Sequence, residues 1–203
     1  MANKQSAGFG LEASGVMGQT PATSGQRRFW IDAADATAIY NGELVRITAG
    51  YVVTAQAATT NPSQGVFNGC FYNDATTLKP TWVNYYPGGI TPANSEDIKA
   101  YVMDNPFQIY NVVTDAQIAA NVPASHGKIM ETYGMNVSAT SGTASGGRSS
   151  STLKVSAGSH ATNNQFRYLG DAEDPENNEN AAFRSVVVAH NLNQYFTGAV
   201  TWQ

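Results

Sequence analysis

The sequence predicts an all-β protein: an antiparallel β-sandwich or barrel-like body with an extended N-terminal arm and one short helix. Three observations carry this. From residue 27 onward short apolar runs alternate with polar residues, Asn-Gly, Pro-Gly-Gly and Asp-Asn-Pro signals punctuate the runs, and one segment alone has helical start and stop signals.

Residues 1–26 are rich in Gly, Ser, Ala, Thr and Gln, with Phe9, Leu11, Val16 and Met17 as isolated apolar points and no sustained period. Such a segment is expected to be an arm that orders only when something holds it. Residues 27–203 are then the β-rich body. "RRFWIDA" leads into "TAIYNGELVRI", where Asn41-Gly42 favours a type I′ hairpin turn, and "TAGYVVTAQ" returns through Gly50. A meander of three or four strands follows from this reading.

In "GVFNGCFYNDATTLKPTWVNYYPGG", strict alternation places Phe67, Gly69 and Phe71 on one face and Val66, Asn68, Cys70 and Tyr72 on the other. A turn at Asn73-Asp74 and a stop at Pro87-Gly88-Gly89 make it a hairpin. "DIKAYVMDNPFQIYNVVT" repeats the device, with Ile98, Ala100 and Val102 alternating before the turn at Asp104-Asn105-Pro106. The helix is expected over 115–122, because Thr114 and Gln117 have capping-box spacing and Pro123 stops propagation. Beyond it come "HGKIMETYG", the Gly/Ser-rich loop "SATSGTASGGRSSS", exposed or ordered against a neighbour and with Arg148 solvated, and strands in "TLKVSA", "NQFRYLG" and "AAFRSVVVAHN".

Composition narrows the function. Charged residues make up 13% of the chain, against roughly a quarter in ordinary domains, so the surface is mostly neutral and polar and suits lasting protein contact. A net charge of −4, with Arg27-Arg28 the only adjacent basic pair, gives no basic face for nucleic acid. No apolar run approaches the ~20 residues of a membrane helix, and the N-terminus lacks the hydrophobic stretch of a signal peptide. One cysteine forms neither an internal disulfide nor a zinc cluster, which fits synthesis in a reducing cytoplasm.

Reactive constellations are equally scarce. Cys70 has no histidine near it in sequence, the three being His126, His160 and His190. The Ser-x-x-Lys spacings at Ser125–Lys128 and Ser151–Lys154 lack their partner motifs, and "SGTASGGRSS" lacks the ending of a phosphate loop. The acidic "GDAEDPENNEN" has oxygen enough for Ca²⁺ but not the spacing of an EF-hand, so it reads as a solvated turn. No catalytic residue, metal or cofactor is therefore assigned. The aromatic set Trp82, Tyr85 and Tyr86 reads as packing or protein interface, or as a platform for sugar rings; Tyr85 and Tyr86, being adjacent, cannot both be core. Phe9, Leu11, Val16, Met17, Arg27 and Arg28 complete the candidate interface.

The strings "MANKQSAGFG", "AIYNGELVRI", "GVFNGCFYNDATTLKPTWVNYYPGG", "FRYLGDAEDPENN" and "SVVVAHN", with the Gly/Ser loop between them, resemble capsid cement (decoration) proteins of tailed bacteriophages, of the cyanophage and marine-phage type. The resemblance implies a non-enzymatic, β-sandwich-like protein made in the host cytoplasm and placed on the outer capsid surface of the virion. It further implies a homotrimer over the threefold and quasi-threefold positions of the major capsid protein lattice. The rival reading is a carbohydrate-binding module that uses Trp82 to Tyr86 on a host glycan.

Overall fold

The computed structural model describes residues 7–18, 25–55, 61–118, 126–136, 146–155, 164–178 and 180–196. Among them are β1 (Glu12–Val16), β2 (Arg27–Ile31), β3 (Leu44–Thr48), β4 (Tyr51–Thr54), β5 (Gly65–Asn73), β6 (Pro80–Val83), β7 (Ile98–Met103), β8 (Gln108–Val113), β9 (Thr132–Asn136), β10 (Thr152–Lys154), β11 (Phe166–Asp171) and β12 (Ser185–His190). They form two six-stranded sheets, ordered β1-β8-β12-β11-β9-β10 and β3-β4-β2-β7-β5-β6. In the second sheet β3 also pairs with β5, so β3-β4-β2-β7-β5 closes into a barrel and β6 hangs on its outside. The first sheet curls until Thr114, just after β8, bridges to Leu153 in β10, leaving β1 outside on β8. Closure and near-closure dispose of most of the edge hydrogen-bonding groups that open sheets expose.

Two cores result. Ile31, Val45, Val52, Phe67, Cys70, Ile98, Ala100 and Val102 fill the barrel, and the bridged pair Ile39 and Tyr86 completes it. Tyr110, Val112, Tyr133, Met135, Leu153, Phe166, Tyr168, Val186 and Val188 line the concave side of the other sheet. Leu44 and Val66, paired across β3 and β5, belong to this second cluster. They point outward from the barrel, so one barrel wall seals the neighbouring core.

The all-β expectation holds, and several local expectations are corrected. Alternation in β5 breaks at a bulge between Phe67 and Gly69, so Phe67 and Cys70, expected on opposite faces, both enter the barrel. β7 and β8 do not form a hairpin: the chain crosses at Asp104 from one sheet to the other. The meander is also absent, because β2 pairs with β4 in parallel and with β7. The positive-φ pair of a type I′ turn falls at Ala49 (φ 50°) and Gly50 (φ 88°), between paired Thr48 and Tyr51, and not at Asn41-Gly42. Residues 115–118 are not helical, and the Thr114 hydroxyl, buried and without a hydrogen bond, caps nothing. The rest of the expected helix lies outside the described residues.

The barrel seam shows how a side chain can finish a strand. β3 meets β5 through Leu44↔Val66 and Val45↔Gly65. Further along β3, the Gln194 carboxamide accepts from Ile47 N–H (2.7 Å) and donates to Ile47 C=O (3.0 Å), as a paired peptide would. Gln194→Ala is expected to cost about 1–3 kcal/mol, since both backbone groups lose their partner in a part-buried site. Urea unfolding checks it, and Gln194→Glu, which removes the donor, should lose a similar amount.

Candidate functional site

The outer barrel surface carries a transverse aromatic row. Strand register places Trp82 beside Phe71, Phe71 beside Lys99, Lys99 beside Trp30 and Trp30 beside Tyr51, across β6, β5, β7, β2 and β4. The next outward row is Gly69, Tyr101 and Arg28. Because inward positions are taken by Cys70, Ala100 and Phe29, period-2 geometry sends this second set outward.

The rings on this surface are held in place. Trp82 is 50% exposed, meets Tyr101 edge-on at 5.1 Å, and lies over Gly69, where an added Cβ would sit 2.6 Å from the indole. Lys99 sits 5.4 Å over Phe71, and Arg28 sits 5.3 Å over Trp30. At the far end of Trp30 lies an open depression of about 580 Å³, lined by Trp30, Tyr51, Glu96, Asp97 and Lys99 with the Ala49-Gly50 turn. Tyr51 donates to Asp97 Oδ2 at 3.0 Å, and that bond, then the charge of Asp97, raises the phenol pKa.

A second surface lies at the opposite end of β2. Met17, Phe107 and Phe196 are 45%, 52% and 66% exposed, Phe107 and Phe196 stand 5.9 Å apart, and Met17 N–H donates to Phe107 C=O. Beside them Arg27 pairs with Asp104 at 3.1 Å and covers the Tyr195 ring at 5.6 Å, while the Tyr195 hydroxyl donates to Asp104. Burial, then that hydrogen bond, pushes the Tyr195 phenol up to about 12. The result is an apolar rim with one anchored, mostly exposed cation.

The residues singled out from sequence thus part company. Arg28 and Trp82 lie on the aromatic face, and Met17 and Arg27 at the apolar rim. Tyr86 is fully buried and cannot serve as surface, while Tyr85 is half-buried, stacked on Tyr40 at 6.0 Å and backed by Gly147. Trp82, Tyr85 and Tyr86 do not share a platform. Leu11 is 2% exposed and belongs to the first sheet's core, and Val16 of β1 pairs with Gln108 of β8, so residues 12–16 are a strand of the body: the segment expected to order only when something holds it is held by its own chain. Phe9 is half-buried beneath Arg148, which pairs with Glu12; Arg148 is exposed, as expected, and tethered as well.

No reactive constellation assembles among the described residues. Burial pushes the Cys70 thiol up to about 12, far from a thiolate. His190 Nε2 lies 3.2 Å from Ser63 Oγ, but both are buried, Nδ1 has no hydrogen-bond partner, and burial pulls the imidazole down to about 4. A serine nucleophile needs its histidine oriented and charge-stabilised by a third group, which is missing at this pair. Ser151 is buried and bonded to Ser149, while Ser125 and His160 lie outside the described residues. In the acidic turn Asp171 pairs with Arg184 and accepts from Tyr168, and no group of three His, Cys, Asp or Glu side chains is placed to hold a metal among the described residues.

Trp30, Tyr51, Phe71, Lys99 and Tyr101 escaped the sequence reading, although the signal was present. Arg28 and Trp30 in "RRFWI", and Lys99 and Tyr101 in "IKAYVM", occupy the positions alternate to apolar ones. Large aromatics at outward strand positions mark a surface more directly than a cluster in one string does. No protein-family description, characterised protein or solved structure matches this chain.

Proposed function

We propose that this protein is a structural cement protein, which binds the outer surface of an assembled icosahedral phage head through the major capsid protein and stabilises it. The observation that carries the reading is the apolar rim of Met17, Phe107 and Phe196 with Arg27, an exposed apolar surface on a body that brings no acid, base and nucleophile together among its described residues. The sequence resemblance to phage decoration proteins supplies the partner and the trimeric state. A protein that binds only the assembled lattice adds its binding free energy to that state. Joined copies raise each other's effective concentration without new kinds of contact.

The test is occupancy on purified, DNA-filled heads. A fixed ratio to the shell subunit is expected, with heads lacking the protein releasing DNA at lower temperature. Phe107→Asp with Phe196→Asp should abolish occupancy while leaving the fold intact. Heads equally complete and heat-resistant without the protein would overturn the proposal. Removing residues 1–26 is a poor substitute, because it also takes away β1 and Leu11.

A further inference from the structure

The depression beside Trp30 is distinct from the apolar rim, at the other end of β2, and its chemistry is different. Trp30, 39% exposed, offers an indole edge and face, with Arg28 occupying the side toward the start of β2. Glu96 and Asp97 enter from the segment preceding β7, and Lys99 enters from β7 itself. The Asp97 carboxylate is oriented by the Tyr51 hydroxyl at 3.0 Å, and the β3–β4 turn closes the opposite rim.

This set of groups discriminates between ligand classes. Glu96 and Asp97 are balanced by Lys99 in the lining and by the Arg28 guanidinium stacked on Trp30 beside it, so neither a cation nor an anion finds an unopposed partner. A neutral polyhydroxylated ring suits all of them: its hydroxyls donate to Glu96 and Asp97 and accept from Lys99, while its C–H face packs on the indole. The volume of about 580 Å³ exceeds one pyranose and suits two linked rings. We propose that the depression lined by Trp30, Tyr51, Glu96, Asp97 and Lys99 binds a neutral glycan, with Trp30 as the stacking platform and Asp97 as the principal hydroxyl acceptor. This places carbohydrate recognition away from Trp82–Tyr86, and it stands whether or not the protein sits on a capsid.

The experiment is an NMR titration of the full chain, following backbone amide and tryptophan indole N–H signals, against methyl glucoside, methyl galactoside, methyl mannoside, maltose, cellobiose and chitobiose to 50 mM. Sialyllactose and tetramethylammonium serve as charged probes. At least one neutral sugar should saturate in the millimolar range, with a disaccharide tighter than its monosaccharide. Trp30→Ala should weaken binding about tenfold or more, as for a central aromatic anchor. Asp97→Asn, which keeps the size of the side chain, should weaken it several-fold, and Trp82→Ala should leave it unchanged. The proposal fails if no neutral sugar saturates, if only a charged probe does, or if Trp30→Ala binds as wild type. Capsid occupancy of the Trp30 variant stays normal in either case, which separates this test from that of the cement role.

Discussion

Gly10→Ala is expected to remove about 3 kcal/mol or more of folding free energy, a large part of the ~5–15 kcal/mol of an ordinary domain. Gly10 has φ +78°, and a Cβ there would fall 2.6 Å from Gly42 O and 2.9 Å from Ser149 Cβ. The left-handed backbone costs an alanine about 1–2 kcal/mol. The overlap adds about 1–3 kcal/mol, because one of its partners is main chain held by other bonds. The segment is fixed from both sides: Gly10 N–H donates to Ser151 C=O at 3.1 Å and Leu11 N–H to Gly42 C=O at 2.8 Å. Relaxing the clash would pull Leu11 from the core. Gly15→Ala is the control, since a Cβ there meets nothing within 4 Å, and it should change stability by less than about 1 kcal/mol. Urea midpoints of the two variants decide it, and equal midpoints would discard this account of the N-terminal segment.

The second large effect is a pair of opposed pH dependences. Glu43 is fully buried, accepts from Tyr40 N–H at 2.9 Å through Oε2, and has no hydrogen-bond partner for Oε1. Burial raises its pKa from 4.5 to about 7, the Tyr40 bond opposing in part. The folded state therefore holds this proton more tightly than the unfolded chain does. Its contribution is fully present below pH 4.5 and is lost as pH rises through about 7, a change on the order of 3 kcal/mol. His190 runs the other way: burial against Phe166 (4.9 Å) lowers it from 6.5 to about 4, so its contribution is present above pH 6.5 and is lost as pH falls through about 4. The two slopes oppose each other between about pH 4.5 and 6.5. Glu43→Gln should therefore be more stable than wild type at pH 8 by about 3 kcal/mol, nearly equal to it at pH 4.5, and should expose the His190 slope. Unfolding curves from pH 4 to 8 that run parallel for the two proteins would sink this reading.

Period-2 patterning made most strands legible, because half-buried strands must alternate: β7 reads as buried and half-buried residues in strict turn. What local pattern does not carry is which sheet a strand joins. The stretch 104–107 has the signals of a hairpin, yet it delivers Tyr110 and Val112 to the other core. A bulge erases phase, which is why Phe67 and Cys70 share a face. The Gly-rich composition of residues 1–26 predicts an arm, whereas Gly8 and Gly10 serve close approach, a Cβ at Gly8 falling 2.1 Å from Ser150 O. Composition cannot separate these uses, since both require only the absence of a side chain. The interface residues followed suit: exposed Trp82 and Met17 keep their candidacy, while Leu11 and Tyr86 are drawn inward by partners remote in sequence.

The place of β1 bears on how the chain emerges from the ribosome. Ser14 bonds Ile109, 95 residues downstream. At about 5–20 residues per second, translation needs on the order of 5–20 s to deliver that partner. Meanwhile β2 through β5 and β7, all between residues 27 and 103, are complete enough to close their barrel. β1 thus precedes the barrel strands in synthesis and follows them in seating, and a bulky fusion at the N-terminus would burden that delayed step.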